Sequence, residues 1–111
     1  HRGVDLAGSA GDPVRTAATG VVRFAGLLAG KGVVVIGHGR LRTTYEPVRV
    51  SVTVGQRVTA GQVIGYLAPG ASHCSTAGLV TCLHWGLRRG RHYLDPLAVV
   101  TGRPRLMPLQ R

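Results

Sequence analysis

Three residues of this chain have side chains that suit one metal ion. His1 and Asp5 stand four apart in "HRGVD", and His84 sits in "VTCLHWGLRRG". The glycine- and valine-bearing start reads as extended, and residues i and i+4 of a strand share a face. An imidazole and a carboxylate from there, joined by a second imidazole from His84, would make a three-ligand zinc site. Such a site keeps an open fourth position, the arrangement of catalytic zinc. The competing reading of each residue is a packed or solvated side chain, and the spacing alone leaves both open.

Cys74 and Cys82 lie eight apart in "CSTAGLVTC". A short hairpin could close them into a disulfide, which on chain-entropy grounds would stabilise by roughly 2.5 kcal/mol and imply an oxidising, extracytoplasmic compartment. Two reduced thiols fit the spacing as well. So does Cys82 as a fourth metal ligand, which would close the tetrahedron and make the zinc structural.

The elements that must position these residues read as strands. Runs at 20–26, 32–39, 42–52, 62–70 and 82–90 are rich in β-branched residues and bounded by glycine or proline. Helical periodicity is nearly absent, and the one good helix start is "DPLAVV" (95–100), with Asp95 as cap and Pro96 in the first turn. Segments 11–22 and 55–65 rhyme, each placing a valine three after a glycine and returning to glycine. This suits an antiparallel barrel or sandwich with glycine corners. It is also similar to half of a lipoyl- or biotinyl-carrier domain, although the single lysine, Lys31, lacks the methionine that usually flanks the modified lysine there.

Charge narrows the partners. The 14 Lys+Arg residues outnumber four Asp+Glu, so the surface attracts anions. The arginines are scattered and only five aromatics are present, which is thin for nucleic acid and compatible with an anionic cell-envelope polymer. No apolar run approaches the about 20 residues of a membrane helix.

Taken in order, "HRGVDLAGSAGDPVRTAATGVVRFAG", "GVVVIGHGRLRTTY", "VSVTVGQRVTAGQVIGYL", "CLHWGLRRG" and "YLDPL" resemble the lysostaphin-like, LytM-type zinc metallopeptidases. The resemblance implies an all-β, glycine-rich antiparallel sheet or barrel-sandwich with at most one short helix. It places this domain at 1–101, followed by an irregular tail at 102–111. It also implies zinc held by His1, Asp5 and His84, and an extracytoplasmic protein acting on peptidoglycan, alone or with a cell-wall regulatory protein. Asp12, Thr43 and Tyr45 fall at familiar family positions, and the "GHG" turn around His38 belongs to the pattern.

Two departures bear on activity. Where the family pattern has its catalytic histidines, this chain has Pro47 and Cys82. Proline has neither an ionisable group nor an N–H, and a disulfide would consume the thiol. Zinc can still polarise a carbonyl, but proton transfer needs a substitute. The candidates are Glu46, His73 and Tyr45. Strand alternation turns Glu46 away from the face shared by Tyr45 and residue 47, unless a kink at Pro47 redirects it. His73 lies on a glycine-bounded loop, and Tyr45 would either donate to an oxyanion or pack. The expectation is a zinc-binding domain with degenerate acid–base groups, serving in wall binding or regulation. The alternatives are an active endopeptidase using Glu46 or His73, and the carrier domain.

Overall fold

The computed structural model describes residues 3–69, 80–89 and 92–94. Ten strands follow in order: β1 (Gly3–Ser9), β2 (Pro13–Arg15), β3 (Gly20–Leu28), β4 (Lys31–His38), β5 (Leu41–Glu46), β6 (Val48–Val50), β7 (Arg57–Val58), β8 (Val63–Leu67), β9 (Val80–Arg89) and β10 (His92–Leu94). No helix occurs among the described residues, hence none long and apolar enough to cross a membrane. The expected helix at 95–100, the boundary at 101 and the tail lie outside them.

The strands form two antiparallel sheets. The larger has seven strands in the order β1-β9-β5-β4-β3-β7, with β10 also on β9; the smaller runs β2-β8-β6. Their facing surfaces enclose a core that includes Val14, Val22, Val34, Ile36, Tyr45, Val48, Ile64 and Trp85. Alternation assigns the faces. On β5, Thr43 and Tyr45 are buried while Arg42, Thr44 and Glu46 point the other way, and on β9 Trp85 and Leu87 are buried with His84 on the opposite side. Central β4 has buried side chains on both faces, Val33 on one and Val34 and Ile36 on the other, and its sequence "VVVI" is correspondingly apolar.

The run expected as one strand over 42–52 is two. It breaks at Pro47, where the chain leaves the large sheet as β5 and enters the small one as β6. Proline has no N–H for a ladder, so a sheet change there leaves no donor unpaired. The two rhyming segments lie side by side: β2 pairs with β8, Thr16 N–H donates to the Gln62 carbonyl (3.0 Å), and Gly61 N–H donates to the Thr16 carbonyl (2.9 Å). Gly32 on β4 is fixed by close approach, because a Cβ there would collide with the Val48 carbonyl of β6.

Candidate functional site

The pairings of β9 with β1 and with β5 build the site. β1 pairs with β9 so that Asp5 is opposite His84, and β5 pairs with β9 so that Glu46 is opposite His84 from the other side. Directly paired residues of antiparallel strands project to the same face. Asp5, His84 and Glu46 therefore form one row across three strands, on the face turned away from the core.

His84 Nδ1 lies 3.0 Å from Asp5 Oδ1, the side chains being 31% and 39% exposed respectively. With a neutral imidazole, Nδ1–H donates to the carboxylate. The pair also fits a metal. Two tetrahedral ligand atoms at zinc distances of about 2.0–2.1 Å lie roughly 3.3 Å apart, and one imidazole with one carboxylate is a common zinc donor set. Among the described residues no third His, Cys, Asp or Glu completes a metal cluster with them; His1 lies outside the described residues.

Glu46 differs from the sequence expectation. Of the two roles open to Tyr45, donor to an oxyanion or packing, the structure has the second: Tyr45 is 1% exposed in the core and its Oη accepts a hydrogen bond from Ala17 N–H (2.9 Å). A tyrosine held there packs the sheet and does not reach the groove. Alternation then turns Glu46 onto the His84 face without any redirection. Glu46 and His84 line a groove of about 340 Å³ along with Thr44, Gly86, Arg42 and Arg88.

Pro47 is buried at the sheet change. Cys82 is on the His84 side of β9 by alternation, is 2% exposed and is not a free thiol. It therefore offers no thiolate to a metal here. Cys74 and His73 lie outside the described residues. Asp12 closes the β1–β2 turn, its Oδ2 accepting from Ser9 N–H at 2.9 Å. His38 has both ring nitrogens engaged at 2.8 Å, one with the Thr19 carbonyl and one with Thr43 Oγ1. It braces the sheet behind the groove. Lys31 starts β4, exposed beside the positive-φ pair Ala29–Gly30. Arg42 and Arg88 in the groove were missed as site residues, because only the β5–β9 register brings them together.

Comparison with known proteins extends these observations. Residues 1–96 match the family model described as Peptidase family M23. An uncharacterised protein of Mycobacterium tuberculosis is 52% identical over 115 residues, covering 98% of this chain and 45% of that protein. The DD-carboxypeptidase/endopeptidase Mpg of Neisseria meningitidis is 32% identical over 108 residues, covering 96% of this chain and 24% of that protein. Among solved structures, the antimicrobial peptidase lysostaphin from Staphylococcus simulans superposes with a TM-score of 0.74 at 28% identity, covering 91% of this chain and 43% of that one. This chain thus spans less than half the length of these relatives.

Proposed function

This chain belongs to peptidase family M23, and from that premise we propose that it is a zinc-binding domain directed at bacterial peptidoglycan. The Asp5–His84 pair carries the reading: a carboxylate and an imidazole, 3.0 Å apart on adjacent strands at the edge of a groove. With His1 they would supply three ligands. Zinc, when bound, provides Lewis acidity toward a carbonyl.

The chain's own residues determine what else is possible. Glu46 is the one described carboxylate opposite His84 besides Asp5 and it lines the groove, so with Asp5 engaged by His84 it is the described carboxylate left to carry a proton there. The positions of the two usual histidines hold buried Pro47 and buried Cys82, and neither replaces a base. Positioned acid–base groups contribute typically about 10²- to 10⁴-fold. We therefore read the domain as one that binds cell wall with little or no hydrolysis, in a binding or regulatory role. The position of Glu46 favours a second reading, an active endopeptidase with Glu46 as general base. We also assign Cys74, the only other cysteine in the chain, as the disulfide partner of Cys82. That bond would place the domain outside the cytoplasm.

The test is mass-spectrometric detection of new amines after zinc-loaded protein meets cross-linked peptidoglycan, with co-sedimentation measured on the same samples. Wall binding without new amines is expected. New amines that vanish in both His84→Ala and Glu46→Gln would establish the second reading. Neither wall binding nor zinc retention would overturn both.

A further inference from the structure

The row at His84 occupies one end of the groove; the other end is basic. Four residues along β9 from His84 stands Arg88, and four back along β5 from Glu46 stands Arg42; the two are direct register partners. The partner of Arg42 on β4 is Gly37, and a Cβ on Gly37 would lie 2.8 Å from Arg23 Nε. The Arg23 side chain from β3 therefore lies across that glycine, in line with the other two. Three exposed guanidinium groups from three strands form one row on the groove face.

This row lacks an internal counter-ion. Like charges directly opposite in an antiparallel pair destabilise it, and among the described residues none of the three arginines makes an ion pair. Nor is a carboxylate to spare. Of the four acids in the sequence, Asp5 is on His84, Asp12 holds the β1–β2 turn, Asp95 lies outside the described residues, and Glu46 belongs to the far row. At about 3.4 Å per residue the two rows, four residues apart, are separated by roughly 14 Å. Between them the floor is low, with Thr44 opposite Gly86 and Val35 beside Thr44. Half-buried Phe24 adds apolar surface along one side.

We propose that Arg23, Arg42 and Arg88 form a subsite for the carboxylate of an extended peptide, whose preceding three to four residues lie along the groove toward Asp5 and His84. This deepens the peptidoglycan reading and rests on it for the peptide nature of the ligand. The charge layout selects a single carboxylate over a polyanion. A phosphate polymer leaving the arginine row along the groove would run into Asp5 and Glu46, and it would leave Phe24 and Val35 unused. A peptide with one terminal carboxylate meets neither difficulty.

The test uses N-acetyl-tetraalanine as its free acid and as its carboxamide, titrated into the full chain by NMR without zinc. The acid is expected to bind about three- to tenfold more tightly, the range for an exposed charge-assisted contact. Arg42→Gln and Arg88→Gln should each bring the ratio toward one. Arg49→Gln, which removes the same charge from a residue stacked over Tyr66 at 5.6 Å on the small sheet, should leave it unchanged. A ratio of one in the parent, no binding of either peptide, or an equal loss in Arg49→Gln would overturn the subsite. Displacement of the acid by polyphosphate or a short oligonucleotide at a lower concentration than the acid itself requires would make the groove a phosphate-polymer site instead. Because the ratio is read without turnover or metal, failure of the zinc or peptidase reading would leave it intact, and the reverse also holds.

Discussion

His38 and His84 occupy the same sheet, two strands apart, and their environments differ in one physical respect. His38 is saturated: the Thr19 carbonyl meets Nδ1, and Thr43 Oγ1, fully buried, meets Nε2. The carbonyl can only accept, so neutral His38 carries its proton on Nδ1 and accepts from the threonine hydroxyl at Nε2. Neither nitrogen can ligate or move a proton without breaking one of these two hydrogen bonds. His84 has a carboxylate on one side and a groove in front of it. The number of ring nitrogens already engaged, more than residue type, separates a brace from a site.

The sharpest way to break this comparison is metal binding. His84→Ala should lower zinc affinity by more than about 100-fold, the upper end of what losing an outer-sphere partner costs, measured by chelator competition. His38→Ala should retain affinity close to the parent. If the two results were exchanged, the assignment of brace and ligand would be reversed.

Stability should rank them the other way. His38→Ala removes two hydrogen bonds and strands the hydroxyl of buried Thr43, an expected loss of about 2–3 kcal/mol in chemical denaturation. His84→Ala without metal should stay within about 1 kcal/mol of the parent, since the side chain is part-exposed and keeps one hydrogen bond. Tyr45→Phe should cost about 1–2 kcal/mol by leaving Ala17 N–H without its acceptor, with zinc affinity unchanged. A large loss of zinc in Tyr45→Phe would put the tyrosine back at the site.

Much of this was legible in the residues because β-branched runs between glycines mark strands whatever they pair with. The expected runs at 20–26, 32–39 and 82–90 correspond to β3, β4 and β9. β2 and β7 were not, since three-residue and two-residue strands carry no periodicity and exist only through their pairings with β8 and β3. Alternation along β5 separated Tyr45 from Glu46 correctly, but it could not say which set faced the core. That was settled by Ala17 N–H, 28 positions away, meeting the phenol. The opposition of Arg42 and Arg88 depends on a register between strands far apart in sequence, and no local pattern encodes it.

The smallest expected effect bears on the opposite end of the groove. Arginines kept for the fold would lose stability when replaced. Arg42 and Arg88 instead face one another with no acid between them, and Arg42→Gln relieves that repulsion while keeping most of the aliphatic stem. The denaturation midpoint of Arg42→Gln should therefore match the parent or rise slightly, within about 0.5 kcal/mol. Any gain should shrink as salt screens the exposed pair. A clear loss would mean that Arg42 supports the sheet itself, and the basic row would then be a feature of packing. An unchanged midpoint combined with a lost preference for the peptide acid would separate binding from folding at this row, as His84 and His38 separate them in the rest of the sheet.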